Sequence, residues 1–161
     1  MACPIKKILV YIDGTEQSVT AAQYALCCAK HLGAELTALY VINTRALDDL
    51  LKARIFLKEE QLEYTQDLDA DAERYLNHVR VLARNKGLAV ETMKVTGTPN
   101  QEIVRAVKEG GFDLLVIGEL SRIRSRRDEF YDETERAMRS APCSVLIVKD
   151  EERVWDMYQM L

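Results

Sequence analysis

Residues 113–148 read DLLVIGELSRIRSRRDEFYDETERAMRSAPCSVLIV, and the fold turns on this stretch. Two short apolar runs, residues 114–117 and 144–148, are separated by a charged loop and a short helical segment. Runs of that length, apolar throughout rather than alternating, suit parallel strands covered on both faces. Asp132 followed three residues later by Glu135 marks a helix start, and Pro142 forces that helix to stop before the last run. The loop between them opens at Gly118, where a buried parallel strand would emerge. In an open α/β sheet that is the end at which ligands bind.

Working outward, residues 5–12 (IKKILVYI) form another continuous apolar run, closed by Asp13-Gly14-Thr15. Thr15 can cap the following helix, Glu16 suits its positive end, and Val19, Ala22, Leu26 and Ala29 recur at helical spacing up to Gly33. Residues 36–42 (LTALYVI) are a second buried strand, which completes a β-α-β unit with a right-handed crossover. Residues 43–69 are charged and helical in period, and residues 70–86 form a separate helix ended by Gly87. Residues 88–95 alternate more and belong nearer a sheet edge. Thr98 is the expected N-cap of the next helix, with Pro99 at its first position and Gln101 completing a capping box. The alternation of strands and helices predicts a single α/β layered domain.

The chain has 161 residues, 48% of them hydrophobic, and a formal charge of -4. That is enough apolar material for one core, and the mildly acidic balance argues against general nucleic-acid binding. No apolar run reaches the length of a membrane span and residues 1–14 lack a signal-peptide pattern, so the expected location is the cytoplasm. Cys3, Cys27, Cys28 and Cys143 form no C-x-x-C pair and read as reduced thiols. His31 and His78 have no metal-ligand spacing around them, no nucleophile elbow or paired acid and base occurs, and no catalytic residue is assigned.

If the chain enters at the centre and reverses once, the strand order is 3-2-1-4-5, and the first and fourth strands flank a crevice. The residues brought there are Asp13, Gly14 and Thr15 from the first loop, Val41 and Ile42 from the second strand, and Gly118 to Ser121 from the fourth. A carboxylate, a small apolar wall and a glycine turn facing a helix N-terminus suit a ribose, a base and a phosphate. Turn chemistry leaves the alternative open that Asp13-Gly14-Thr15 only turns the chain and caps a helix.

These residues resemble the universal stress protein family along nearly the whole chain: KKILVYIDGTEQSVTAAQYALCCAKHLGAELTALYVI, VTGTPNQEIVRAVKEGGFDLLVIG and ERAMRSAPCSVLIVKD match its segments in order. The resemblance implies a Rossmann-like sheet of the adenine nucleotide alpha hydrolase type, with residues 1–150 as the family domain and 151–161 as an extension of it. It also implies a cytosolic homodimer pairing through the fifth strand (Ser144 to Val148), a role in stress survival, and an unknown protein partner. One branch of the family binds ATP through G-x2-G-x9-G-[S/T] after the fourth strand; another lacks the motif.

Laid from Gly118, the second motif glycine falls on Ser121, the third on Tyr131 and the Ser/Thr on Asp132. Tyr131 resists the close backbone approach that a phosphate cradle needs. A phosphate within about 5 Å of the Asp132 carboxylate meets roughly 3 kcal/mol of repulsion at an effective dielectric of 20, about a hundredfold in affinity. Against this, Arg122, Arg124, Arg126 and Arg127 could pair with phosphates. The expected function is therefore non-enzymatic and regulatory, through a dimer, with weak or no ATP binding. The alternative is an ATP-binding switch, at most a slow hydrolase, using Asp13, Gly14, Thr15, Val41, Gly118, Ser121, Arg122, Arg124 and Asp132. Residues 151–161 carry Val154, Met157, Tyr158 and Leu161 on one helical face with Trp155 beside it. They are expected to pack on a neighbouring subunit or against residues 43–69.

Overall fold

A computed structural model describes residues 3–53, 58–120 and 133–161. The elements in chain order are β1 (Lys7–Ile12), α1 (Glu16–Leu32), β2 (Glu35–Asn43), α2 (Arg45–Lys52), α3 (Lys58–Arg84), β3 (Glu91–Gly97), α4 (Pro99–Gly110), β4 (Leu114–Gly118), α5 (Glu133–Ser140), β5 (Ser144–Val148) and α6 (Glu151–Gln159). The sheet runs β3-β2-β1-β4-β5 with every pair parallel, the order expected from the chain reversal.

Side-chain alternation along each strand divides the core in two. Ile8, Val10 and Ile12 of β1 face α1, α3 and α6, where Leu26, Leu76, Val79 and Tyr158 pack. Leu9 and Tyr11 face the other way, against Ile103 and Val107 of α4 and Ala137 of α5. β1 needs apolar residues from Ile8 to Ile12 because it is central and covered on both sides, and Ile8 to Val10 are fully buried. At the opposite end of the sheet from the crevice, Asp113 fastens the turn before β4 to β1. One carboxylate oxygen accepts the backbone N–H of Lys6 at 2.8 Å and of Lys7 at 3.0 Å, and these bonds hold its carboxyl below the usual range.

Several boundaries differ from those expected. No break falls near residue 70, and α3 runs through it for 27 residues. The buried stripe that defines this helix, Ala72 to Ala83, occupies only its second half, so the charged first half is carried by continuity rather than by core contact. β3 starts at Glu91, three residues after the apolar run begins. Thr98 is the N-cap of α4, but its side chain makes no capping bond. The Asn100 N–H that a capping side chain would satisfy instead donates to Glu133 Oε2 of α5 at 3.2 Å. Asp132 lies outside the described residues.

The terminal segment is helical and packs on its own chain, against α1 and the end of α3, rather than on the described residues of the 43–69 segment. Val154 and Tyr158 are buried, whereas Trp155 stays 48% exposed. The bonds between these helix ends are reciprocal. Val81, Ala83 and Arg84 carbonyls at the end of α3 take local N–H donors, while the Leu82 carbonyl accepts the Tyr158 hydroxyl at 2.7 Å. In return Lys86 donates to the Gln159 carbonyl at 3.2 Å and Lys30 to that of Leu161 at 3.4 Å. Helix carbonyls left open at a C-terminus find partners this way.

Candidate nucleotide crevice

The loop after β1 is held by its own side chains. Asp13 Oδ1 accepts the Thr15 N–H at 3.0 Å and the Thr15 hydroxyl at 2.6 Å, and Thr15 Oγ1 accepts the Ser18 N–H at 3.2 Å. Thr15 thus caps α1 as its sequence position predicts, and Asp13 orients the capping hydroxyl. The same bonds occupy Oδ1 of the exposed Asp13 carboxylate.

Gly14 has φ 85° and lies under an aromatic ring: a Cβ there would sit 2.8 Å from Tyr75 of α3. Tyr75 stacks on Tyr40 of β2 at 5.9 Å between centroids and 9° between planes, and the Arg74 guanidinium lies 5.0 Å from the Tyr75 centroid. Burial, followed by the nearby Tyr75, raises the Tyr40 phenol above its usual range. This aromatic pair was not read from the sequence, where residues 70–86 were only a helix ended by Gly87. The signal that could have flagged it is a glycine turn opposite an aromatic, which requires knowing that α3 packs over β2 and β3 and reaches the loop after β1.

Gly118 approaches α1 even more closely. A Cβ on it would lie 2.5 Å from the carbonyl oxygen of Gln17 and 2.6 Å from its carbon. The glycine therefore has a packing reason that owes nothing to a ligand, because the first turn of α1 occupies the space of a side chain. Val41, 5% exposed, lies on the α4 face with Leu39 and Tyr11. Ile12 pairs with Tyr40, so one further step along the parallel register sets Asp13 level with Val41. The crevice thus brings together Asp13, Gly14, Thr15, Val41 and Gly118. Ser121, Arg122, Arg124 and Asp132 fall outside the described residues.

The model of the universal stress protein family matches residues 4–149. The chain belongs to this family. The universal stress protein MJ0531 of Methanocaldococcus jannaschii is 29% identical over 144 residues, covering 89% of this chain and 82% of its own. Among solved structures, the protein MJ0577 superposes with a TM-score of 0.71 at 23% identity, over 92% of this chain and 98% of that one. A family member from Arabidopsis thaliana, At3g01520, solved with AMP bound, gives a TM-score of 0.64 at 17% identity over 92% and 94%. This universal stress protein places its first and fourth strands side by side, and the candidate crevice lies at their C-terminal ends. No helix among the described residues is long and apolar enough to cross a membrane.

Proposed function

We propose that this universal stress protein is a non-enzymatic, cytoplasmic regulatory protein that works as a homodimer through protein contacts, with ATP bound weakly or not at all. The observation that carries the reading is the state of the crevice. One oxygen of Asp13 is already taken by Thr15, the Gly118 backbone is packed on Gln17, and three of the four family motif positions hold Ser121, Tyr131 and Asp132 instead of glycines and a hydroxyl. Residues 1–150 act as the family domain, and 151–161 extend that domain by covering α1.

Pairing through β5 is supported by its place at the sheet edge, where one side of its backbone has no strand neighbour among the described residues and Val145, Leu146 and Ile147 are only partly buried. The AMP held by the Arabidopsis thaliana relative favours a second reading, a nucleotide-sensing switch in which Asp13 Oδ2 and Val41 take a nucleoside and the arginines of residues 122–127 take phosphate. Isothermal titration of freshly purified protein with MgATP and with AMP, repeated on Arg124→Ala and Asp132→Ser, separates the two. The proposal expects no saturable binding by the parent below about millimolar ligand, with Asp132→Ser gaining affinity. Micromolar binding by the parent overturns it in favour of the switch.

A further inference from the structure

At the foot of the sheet, the end opposite the crevice, a cavity of about 560 Å³ opens beside the first residues of β2 and β3. Residues 88–90 continue the apolar run of β3 but stay out of the sheet, and the β2–β3 ladder begins only at Thr37 and Glu91. Glu35 and Leu36, the residues of β2 before that point, line the cavity together with Leu88 and Val90.

The strand register brings the polar side chains together. Lys7 of β1 lies opposite Glu35 of β2, and Thr37, two residues further on, lies opposite Glu91 of β3. Alternation sends all four to one face of the sheet, the face on which Leu9, Leu39 and Met93, each two residues along its strand, pack with α4. Strand spacing and rise place the Cα atoms of Glu35, Thr37 and Glu91 within about 8 Å of one another. Phe112, beyond the end of α4, is the buried aromatic wall of the same cavity.

Two of these groups lack the partners that a finished structure gives them. Lys7 does not neutralise the carboxylates, because its ammonium donates to the Gly110 carbonyl at the end of α4 and lies 4.9 Å from the Phe112 ring centroid. Neither Glu35 nor Glu91 forms an ion pair among the described residues. Thr37 is only 7% exposed, yet its hydroxyl has no hydrogen-bond partner among the described residues. Buried hydroxyls are normally paired, and this one lines the cavity, so a ligand entering there supplies the missing bond.

The lining selects the ligand. No three of His, Cys, Asp and Glu among the described residues are placed to hold a metal. Two carboxylates against one ammonium leave the site one negative charge in excess, beside apolar walls. An organic ammonium brings one positive charge and three N–H donors, a match for two carboxylates and a hydroxyl oxygen, while an apolar body covers Phe112, Met93 and Leu36.

We infer that Glu35, Thr37 and Glu91, with Phe112 as the apolar wall, bind a small primary amine carrying an apolar body. The ammonium enters already protonated, and no covalent bond forms or breaks. Because the cavity lies at the opposite end of the strands from the crevice, the site is independent of nucleotide.

The test is calorimetric titration of the full chain with phenethylamine at neutral pH, with phenethyl alcohol and methylamine as probes that lack the charge and the apolar body. One equivalent of phenethylamine is expected to bind, and both other probes more weakly. Glu35→Gln and Glu91→Gln should each weaken binding roughly tenfold or more. Thr37→Val should weaken it severalfold while leaving the free protein at least as stable in urea unfolding, since the lost hydroxyl gives up no protein bond; a purely structural threonine would lower that stability. Glu152→Gln, on the first turn of α6, should bind like the parent. The inference is overturned if the parent shows no saturable binding below about 10 mM, if phenethyl alcohol binds as tightly as the amine, or if Glu35→Gln, Glu91→Gln or Thr37→Val keeps the parent affinity. Equal losses in Glu152→Gln and Glu91→Gln would overturn it as well.

Discussion

Replacing Gly118 by alanine should destabilise the protein whether or not it binds a nucleotide. The added Cβ would stand 2.5 Å from the Gln17 carbonyl oxygen, about 0.9 Å inside ordinary contact. Both partners are backbone: Gly118 ends a central strand, and Gln17 lies in the first turn of a helix whose inner face is packed on that sheet. Neither can rotate away, so α1 and β4 must part or the chain after Gly118 must shift. Overpacking of this kind costs about 1–3 kcal/mol. At this chain length, a loss of about 2 kcal/mol corresponds to a melting temperature lower by about 4–8 °C. Urea unfolding of nucleotide-free parent and Gly118→Ala, read by far-ultraviolet circular dichroism, measures the difference. Equal stabilities within about 0.5 kcal/mol would refute the packing argument and return Gly118 to the role of a ligand-cradle glycine alone.

Two further perturbations probe the scaffold. Tyr158→Phe removes the hydroxyl from the Leu82 carbonyl at the end of α3 and should cost about 1–2 kcal/mol in urea unfolding, whereas Trp155→Ala on the exposed face of α6 should change stability by less than about 0.5 kcal/mol. Asp113→Asn should lower stability at neutral pH. The carboxyl is depressed in the folded state by the Lys6 and Lys7 N–H groups, so its contribution is present above the unfolded carboxylate range near about pH 3.9 and fades as pH falls through the lower folded value. Parent and Asp113→Asn stabilities should therefore converge on acidification below about pH 4, and a gap that stays constant with pH would contradict the assignment.

The crevice shows how far residue patterns reach. Asp13, Thr15, Val41 and Gly118 were legible because each stands at the end of an apolar run, and the end of a parallel strand is where a loop must carry polar chemistry. What that loop does was not legible. The Asp13 carboxylate is turned onto Thr15 by hydrogen bonds that span two residues, and the Asp-Gly-Thr sequence is equally compatible with a simple turn. The packing of Gly14 under Tyr75 and of Gly118 on Gln17 joins residues 61 and 101 positions apart, and no local pattern records such pairs.

The family and the strand order were determined by the sequence alone, because hydrophobic periodicity and turn residues act over a few positions and a right-handed crossover leaves one arrangement for them. The tertiary structure decided where the second-rank elements go. Residues 58–71 have no apolar face strong enough to set a boundary, so only the buried stripe beyond them makes α3 one helix. The apolar face of residues 151–161 could have met any apolar surface of matching shape. Its place on α1 is set by Tyr158 meeting an open helix carbonyl and by Lys86 and Lys30 meeting the carbonyls of α6 and its C-terminal side. That choice also puts Met157 and Met160 in one apolar pocket with Cys28 and His31, whose two halves are separated by most of the chain.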